Sequence, residues 1–113
     1  MGRWLIGVGA LLAALCGPAL AEDTIRLAQT VALSGPLAEL GIEYRDGALA
    51  YFNAVNEKGG VHGRKIKLIS LDDSMMPPRA LEQVRKLVEQ EQVLLTFGIL
   101  GLSNMSVQMY LNQ

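Results

Sequence analysis

The chain has 113 residues, with 10 basic against 11 acidic side chains and a net charge of −1, so it lacks the positive excess with which nucleic-acid-binding surfaces hold phosphates. Arg64-Lys65-x-Lys67 is only a short basic cluster and reads as the solvated flank of a strand. Cys16 is the single cysteine, which excludes a disulfide framework and a thiolate metal site, and no residue pattern calls for a cofactor.

In chain order, the first feature is an export signal. Met1-Gly2-Arg3 supplies a short positive start, and Trp4 to Leu15 is an uncharged apolar run. A membrane-spanning helix needs roughly 20 apolar residues, whereas this run is interrupted by Cys16-Gly17-Pro18 and followed by the small-residue pattern Ala19-Leu20-Ala21. The expectation is a signal peptide over residues 1–21, cut after Ala21, and a periplasmic remainder over residues 22–113. Leu15 stands before Cys16 where lipoprotein processing favours a small residue, so lipid anchoring is the minor alternative.

Thr24 to Val31 mixes β-branched and apolar residues and stops at the breaking cluster Ser34-Gly35-Pro36, which predicts a first strand. From Gly41 to Lys58 the apolar Ala48, Tyr51, Phe52 and Val55 recur at helical spacing, and Gly59-Gly60 marks the helix end. Lys65 to Leu71 becomes nearly continuous in apolar residues before Asp72-Asp73, as a buried parallel strand does. Pro77-Pro78 suits a first helical turn, with Ala80, Leu81, Val84, Leu87 and Val88 as its apolar stripe. Val93 to Phe97 predicts a third strand, and a further helix starts near Ser103. This alternation predicts an α/β fold: a three-layer parallel sheet with helices on both faces and right-handed crossovers. In such sheets ligands bind at the carboxyl ends of the strands, which directs attention to the loops after Val31, Leu71 and Phe97.

Other constellations carry less. Asp72-Asp73 lacks the third ligand or base that metal or acid–base chemistry needs, and reads as loop hydrogen bonding or capping. His62 is the sole histidine and sits in a turn, so neither a zinc site nor a catalytic triad can be completed around it. Met75-Met76 with Met105 and Met109 reads as packing in the absence of His or Cys partners. No metal site and no enzymatic activity are expected.

Three features occur in order: Ser34-Gly35-Pro36 with Gly41 after the first strand, the helix ending Asn56-x-x-Gly59-Gly60-Val61-x-Gly63, and Asp72-Asp73 closing the second strand. With them the chain resembles the start of the leucine/isoleucine/valine-binding protein family, type I periplasmic binding proteins that serve as ABC transporter substrate-binding proteins. The resemblance implies that residues 22–113 are the first, truncated part of lobe 1 of a two-lobed fold, in which a solute is clamped between lobes. It further implies capture of a small amino-acid-like, carboxylate or amide solute in the periplasm, with the membrane permease subunits of an ABC importer as partners. A ligand-sensing module of a receptor with the same fold is the alternative, and an exported hydrolase a more distant one.

Carried over by resemblance, the site residues are Ser34 and Leu40 beside the cleft and Gly101, Leu102 and Ser103 at the third loop. That loop would offer a hydroxyl and backbone N–H groups to a carboxylate. Leu102, however, stands where the family has Ser or Thr, and only Ser103 is left to supply a hydroxyl, which weighs against a standard α-amino acid.

Overall fold

A central strand covered by helices on both faces is buried on both, and Ile25–Val31 (β1) is buried from Leu27 onward, the polar Gln29 and Thr30 included. The computed structural model describes residues 24–113, so the proposed signal over residues 1–21 lies outside the described residues. After β1 the order is α1 (Ala38–Glu57), β2 (Ile66–Asp72), α2 (Pro77–Gln90), β3 (Leu95–Thr96) and α3 (Gly101–Leu111). The sheet runs β2-β1-β3 and both pairings are parallel. The β1–β2 register is continuous from Ile25 opposite Ile66 to Val31 opposite Asp72.

The chain moves from β1 to β2 in one direction and then crosses back over β1 to reach β3. With right-handed crossovers this reversal puts α1 and α2 on opposite faces. On one face, Phe52 of α1 meets Phe97 edge-on with ring centroids 5.2 Å apart. On the other, Ala80 and Val84 of α2 and Val107 of α3 form a buried cluster with Ile99 against it. The expected α/β layering with helices on both faces is therefore present. Of the predicted α2 stripe, Ala80, Val84 and Leu87 are buried, Leu81 is half-buried and Val88 lies exposed at the margin.

Of the boundaries that differ from the sequence expectation, three are of structural interest. First, α1 begins at Ala38 rather than Gly41, because Gly41 is a packing residue inside the helix. A methyl group built on it would lie 1.7 Å from the carbonyl oxygen of Ala32. Second, β2 extends one residue further, so Asp72 is its last paired residue. Third, β3 narrows from the expected Val93–Phe97 to two residues. Its ladder is held by Leu94 N–H to the Arg26 carbonyl and Phe97 N–H to the Ala28 carbonyl, each 2.8 Å.

The turn between α1 and β2 explains the Asn-x-x-Gly-Gly spacing. Asn56 donates its Nδ2 to the Ile66 carbonyl and accepts the Ile66 N–H at Oδ1, both at 2.8 Å, so the end of α1 is pinned to the start of β2. Met105 and Met109, expected to pack, instead lie 67% and 66% exposed on α3 beside Leu102 at 70%. Their helical spacing makes one outward apolar stripe, and no described element covers it.

Gly41→Ala tests the close approach of α1 to β1. Helix propensity alone favours alanine by about 1 kcal/mol, but the clash is with backbone rather than with a flexible side chain. The expected result in urea denaturation followed by circular dichroism is a net loss of at least about 2 kcal/mol, and a gain in stability would contradict the packing.

Candidate functional site

The first crossover runs from β1 to β2 and the second returns over β1 to β3, so the loops after β1 and β3 lead to helices on opposite faces and part at the carboxyl ends of these adjacent strands. This is where open α/β sheets bind ligands. Three loops meet at that end: residues 32–37, 73–76 and 97–100.

The middle loop is built by two adjacent carboxylates. Asp72 Oδ1 accepts the Ser74 N–H at 2.9 Å, and Asp73 Oδ1 accepts the Met75 N–H at 2.8 Å. These paired turns hold Ser74 and Met75 in the left-handed region, at φ of 49° and 60°, a conformation unfavourable for side-chain-bearing residues. The loop hydrogen bonding read from the sequence is thus their visible work. Among the described residues no group of three or more His, Cys, Asp or Glu side chains gathers around them.

Asp72 also reaches across to the first loop. It accepts the Leu33 N–H at 2.8 Å and the Ser34 hydroxyl at 2.5 Å, and Ser34 Oγ lies 2.7 Å from Ser74 Oγ. Arg79 on α2 completes the group, 3.2 Å from Ser74 Oγ and 4.0 Å from Asp72 Oδ2. Burial pushes the Asp72 carboxyl upward, but the Ser34 hydroxyl, the Leu33 and Ser74 N–H groups and the Arg79 charge outweigh it and bring the pKa down to about 2. The third contact is made by Met75, whose Sδ would stand 3.0 Å from a methyl group built on Gly101, so the middle loop also rests on the start of α3.

The sequence-derived site residues fall into two groups. Leu40, 56% exposed, and Leu102, 70% exposed, stand open on α1 and α3, and Gly101 is exposed at the α3 start. Ser34 is exposed, yet its hydroxyl is already engaged by Asp72 and Ser74. Ser103 is fully buried, and its hydroxyl has no hydrogen-bond partner among the described residues. The hydroxyl expected to serve a solute is thus buried, while the neighbouring Leu102 is exposed. The first turn of α3 carries no side-chain cap, which leaves its N–H groups free of a competing acceptor.

Two participants went unnoticed in the sequence. Gln29, fully buried in β1, accepts the Ser70 hydroxyl at 2.7 Å and donates to the Gly98 carbonyl at 3.2 Å, so it ties β2 to the loop after β3. Tyr44, one helical turn beyond Leu40, lies against Gly98. A methyl group on Gly98 would sit 2.9 Å from its Cε1 and 3.2 Å from its Oη, so only glycine admits the ring. The signals were present: an amide amid apolar strand residues, and an aromatic at helical spacing from Leu40.

Comparison with known proteins settles the ancestry of this arrangement. The family model for periplasmic binding proteins matches residues 24–113, which is every described residue. The chain belongs to the periplasmic binding protein family. It is 36% identical over 80 residues to the Leu/Ile/Val-binding protein of Escherichia coli K12, covering 71% of this chain and 22% of that protein. To Leu/Ile/Val-binding protein homolog 7 of Brucella suis it is 38% identical over 93 residues, covering 82% of this chain and 22% of that protein. Among solved structures, a type 1 periplasmic binding protein from Bordetella pertussis superposes with a TM-score of 0.72 at 31% identity, over 79% of this chain and 24% of that one. The chain thus spans about a fifth of the length of the curated relatives it matches.

For this periplasmic binding protein chain, the Asp72 network yields a prediction with a definite sign. The folded-state pKa of about 2 lies below the ordinary carboxylate value, so the stabilisation is complete above about pH 4 and is lost as pH falls toward 2. Asp72→Asn is expected to lower stability by about 1–2 kcal/mol at neutral pH and to flatten the pH dependence between 4 and 2. Unfolding curves collected across that range for both proteins check it, and parallel curves would contradict it.

Proposed function

We propose that the protein is the solute-binding component of an ABC importer, acting in the periplasm on a small amino-acid-like, carboxylate or amide solute and delivering it to membrane permease subunits. The observation that carries this reading is the meeting of three loops at the carboxyl ends of the strands, braced by Asp72 and Met75 and leading into an α3 whose first turn has no side-chain cap. A helix N-terminus favours an anionic or acceptor group, and a braced loop keeps that group's partners in place before the solute arrives. Family membership and the names of the relatives, which refer to binding of leucine, isoleucine and valine, support a binding role without chemistry on the solute.

In this reading residues 24–113 supply one wall of the site. Closure of an opposing lobe would contribute the remainder, with solute binding favouring the closed state that a permease recognises. Leu102 in the outward position weakens the case for a free α-amino acid and favours a solute with more apolar surface.

Isothermal titration calorimetry tests the proposal, with the protein expressed at the full length of its own reading frame. Leucine, isoleucine, valine, and aliphatic acids and amides of similar size are the probes. At least one is expected to bind in the micromolar range or tighter and to be recovered unchanged, whereas absence of binding by all of them, or conversion of any, would sink the reading. Leu102→Ser is expected to raise leucine affinity by about fivefold.

A further inference from the structure

We propose that Tyr44 is a specificity-determining residue of this site, its hydroxyl supplying a polar contact that Leu102 does not, and that together with Leu40, one helical turn before it, it selects a solute with an aliphatic body and a terminal acceptor oxygen. The inference rests on the solute-binding reading above and deepens it.

Tyr44 leaves α1 one turn beyond Leu40 and crosses to the carboxyl end of β3, where its ring edge and Oη abut Gly98 in the loop after that strand. The residue is 40% exposed even with its ring edge against Gly98, so part of it remains open to solvent. Gly98 stands at φ of 60° with Gln29 Nε2 3.0 Å from where its methyl group would be, so the loop cannot bulge toward the ring without breaking the Gln29 bridge.

Both functional ends of the Gln29 amide are occupied, by Ser70 and by the Gly98 carbonyl. Ser34 is engaged by Asp72 and Ser74, and Ser103 is buried. The Tyr44 hydroxyl makes no hydrogen bond among the described residues. A phenol both donates and accepts, and its donor role suits a carboxylate or amide oxygen.

The charged groups near this end of the sheet face one another: Asp72 accepts from Ser34 and lies 4.0 Å from Arg79, and Asp73 is buried, its Oδ1 accepting the Met75 N–H. Leu40, one helical turn before Tyr44 and 56% exposed, presents apolar surface on the same side of α1. A pocket of apolar flanks with a few directed polar groups selects by shape and by one or two hydrogen bonds.

The test uses the protein at the full length of its reading frame, titrated calorimetrically with three probes that share one isobutyl body: leucine, isocaproate and isocaproamide. Isocaproate or its amide is expected to bind more tightly than leucine. Tyr44→Phe, which removes one oxygen, is expected to weaken that binding about tenfold while leaving the melting temperature of the solute-free protein unchanged. Tyr51→Phe, on the same helix and 69% exposed, is expected to bind as the unaltered protein does. Leucine binding more tightly than both analogues, or a loss below twofold in Tyr44→Phe, overturns the inference and leaves the solute-binding reading standing. No binding by any of these probes or by the wider panel of acids, amides and amino acids overturns both.

Discussion

The carboxylate of Asp72 is the point on which the geometry of this site depends. It closes β2, and from that position it gathers Leu33 and Ser34 of the first loop, Ser74 of the second and Arg79 of α2. The first loop, 38 and 39 residues away in sequence at Ser34 and Leu33, is thereby held against the second at one end of the sheet. An ionised carboxylate accepting several N–H and O–H groups is well suited to this task, because hydrogen bonds to a charged acceptor are stronger than those between neutral groups. The pKa near 2 records the same preference for the charged form. The network also offsets a local expense, since Ser74 and Met75 both sit in left-handed backbone, each at a cost of order 1 kcal/mol or more.

Around this hub the apolar framework is conventional and the polar one is selective. α1 approaches β1 so closely that only glycine fits at position 41, and that approach brings the Leu40 and Tyr44 side of the helix to the carboxyl ends of β1 and β3. Gln29 then spans the sheet beneath Tyr44, from Ser70 to Gly98. Packing therefore sets where the wall stands, and a few buried polar groups set how its loops are turned. The outward stripe of α3, Leu102 with Met105 and Met109, belongs to neither role in the described residues.

Much of this was legible in the sequence. The strand–helix alternation could be read because apolar periodicity reports burial directly, and the three loop signatures pointed to the family because each encodes a turn with few alternatives. Less legible were features that depend on long-range approach. Gly41 looked like a boundary and is a contact, which becomes apparent only once Ala32 is known to lie beneath it. Leu102 and Ser103 could be named as site residues, but which of them turns outward follows from the phase of α3 against α2 and the sheet. Met105 and Met109 were expected to pack, yet the helix presents them to solvent. Tyr44 and Gln29 escaped notice because an aromatic in a helix and a glutamine in a strand are both commonplace until their partners are seen.

The central claim is that the loops are locked by Asp72 before any solute arrives. Native-state hydrogen exchange of the solute-free protein tests this most directly, through the amide protons of Leu33 and Ser74 that point at its carboxylate. The account predicts protection of both comparable with that of the β1 amides, and its loss at both positions when Asp72 is replaced by alanine. Exchange at Leu33 and Ser74 as rapid as in an open loop, in the unaltered protein at neutral pH, would contradict it.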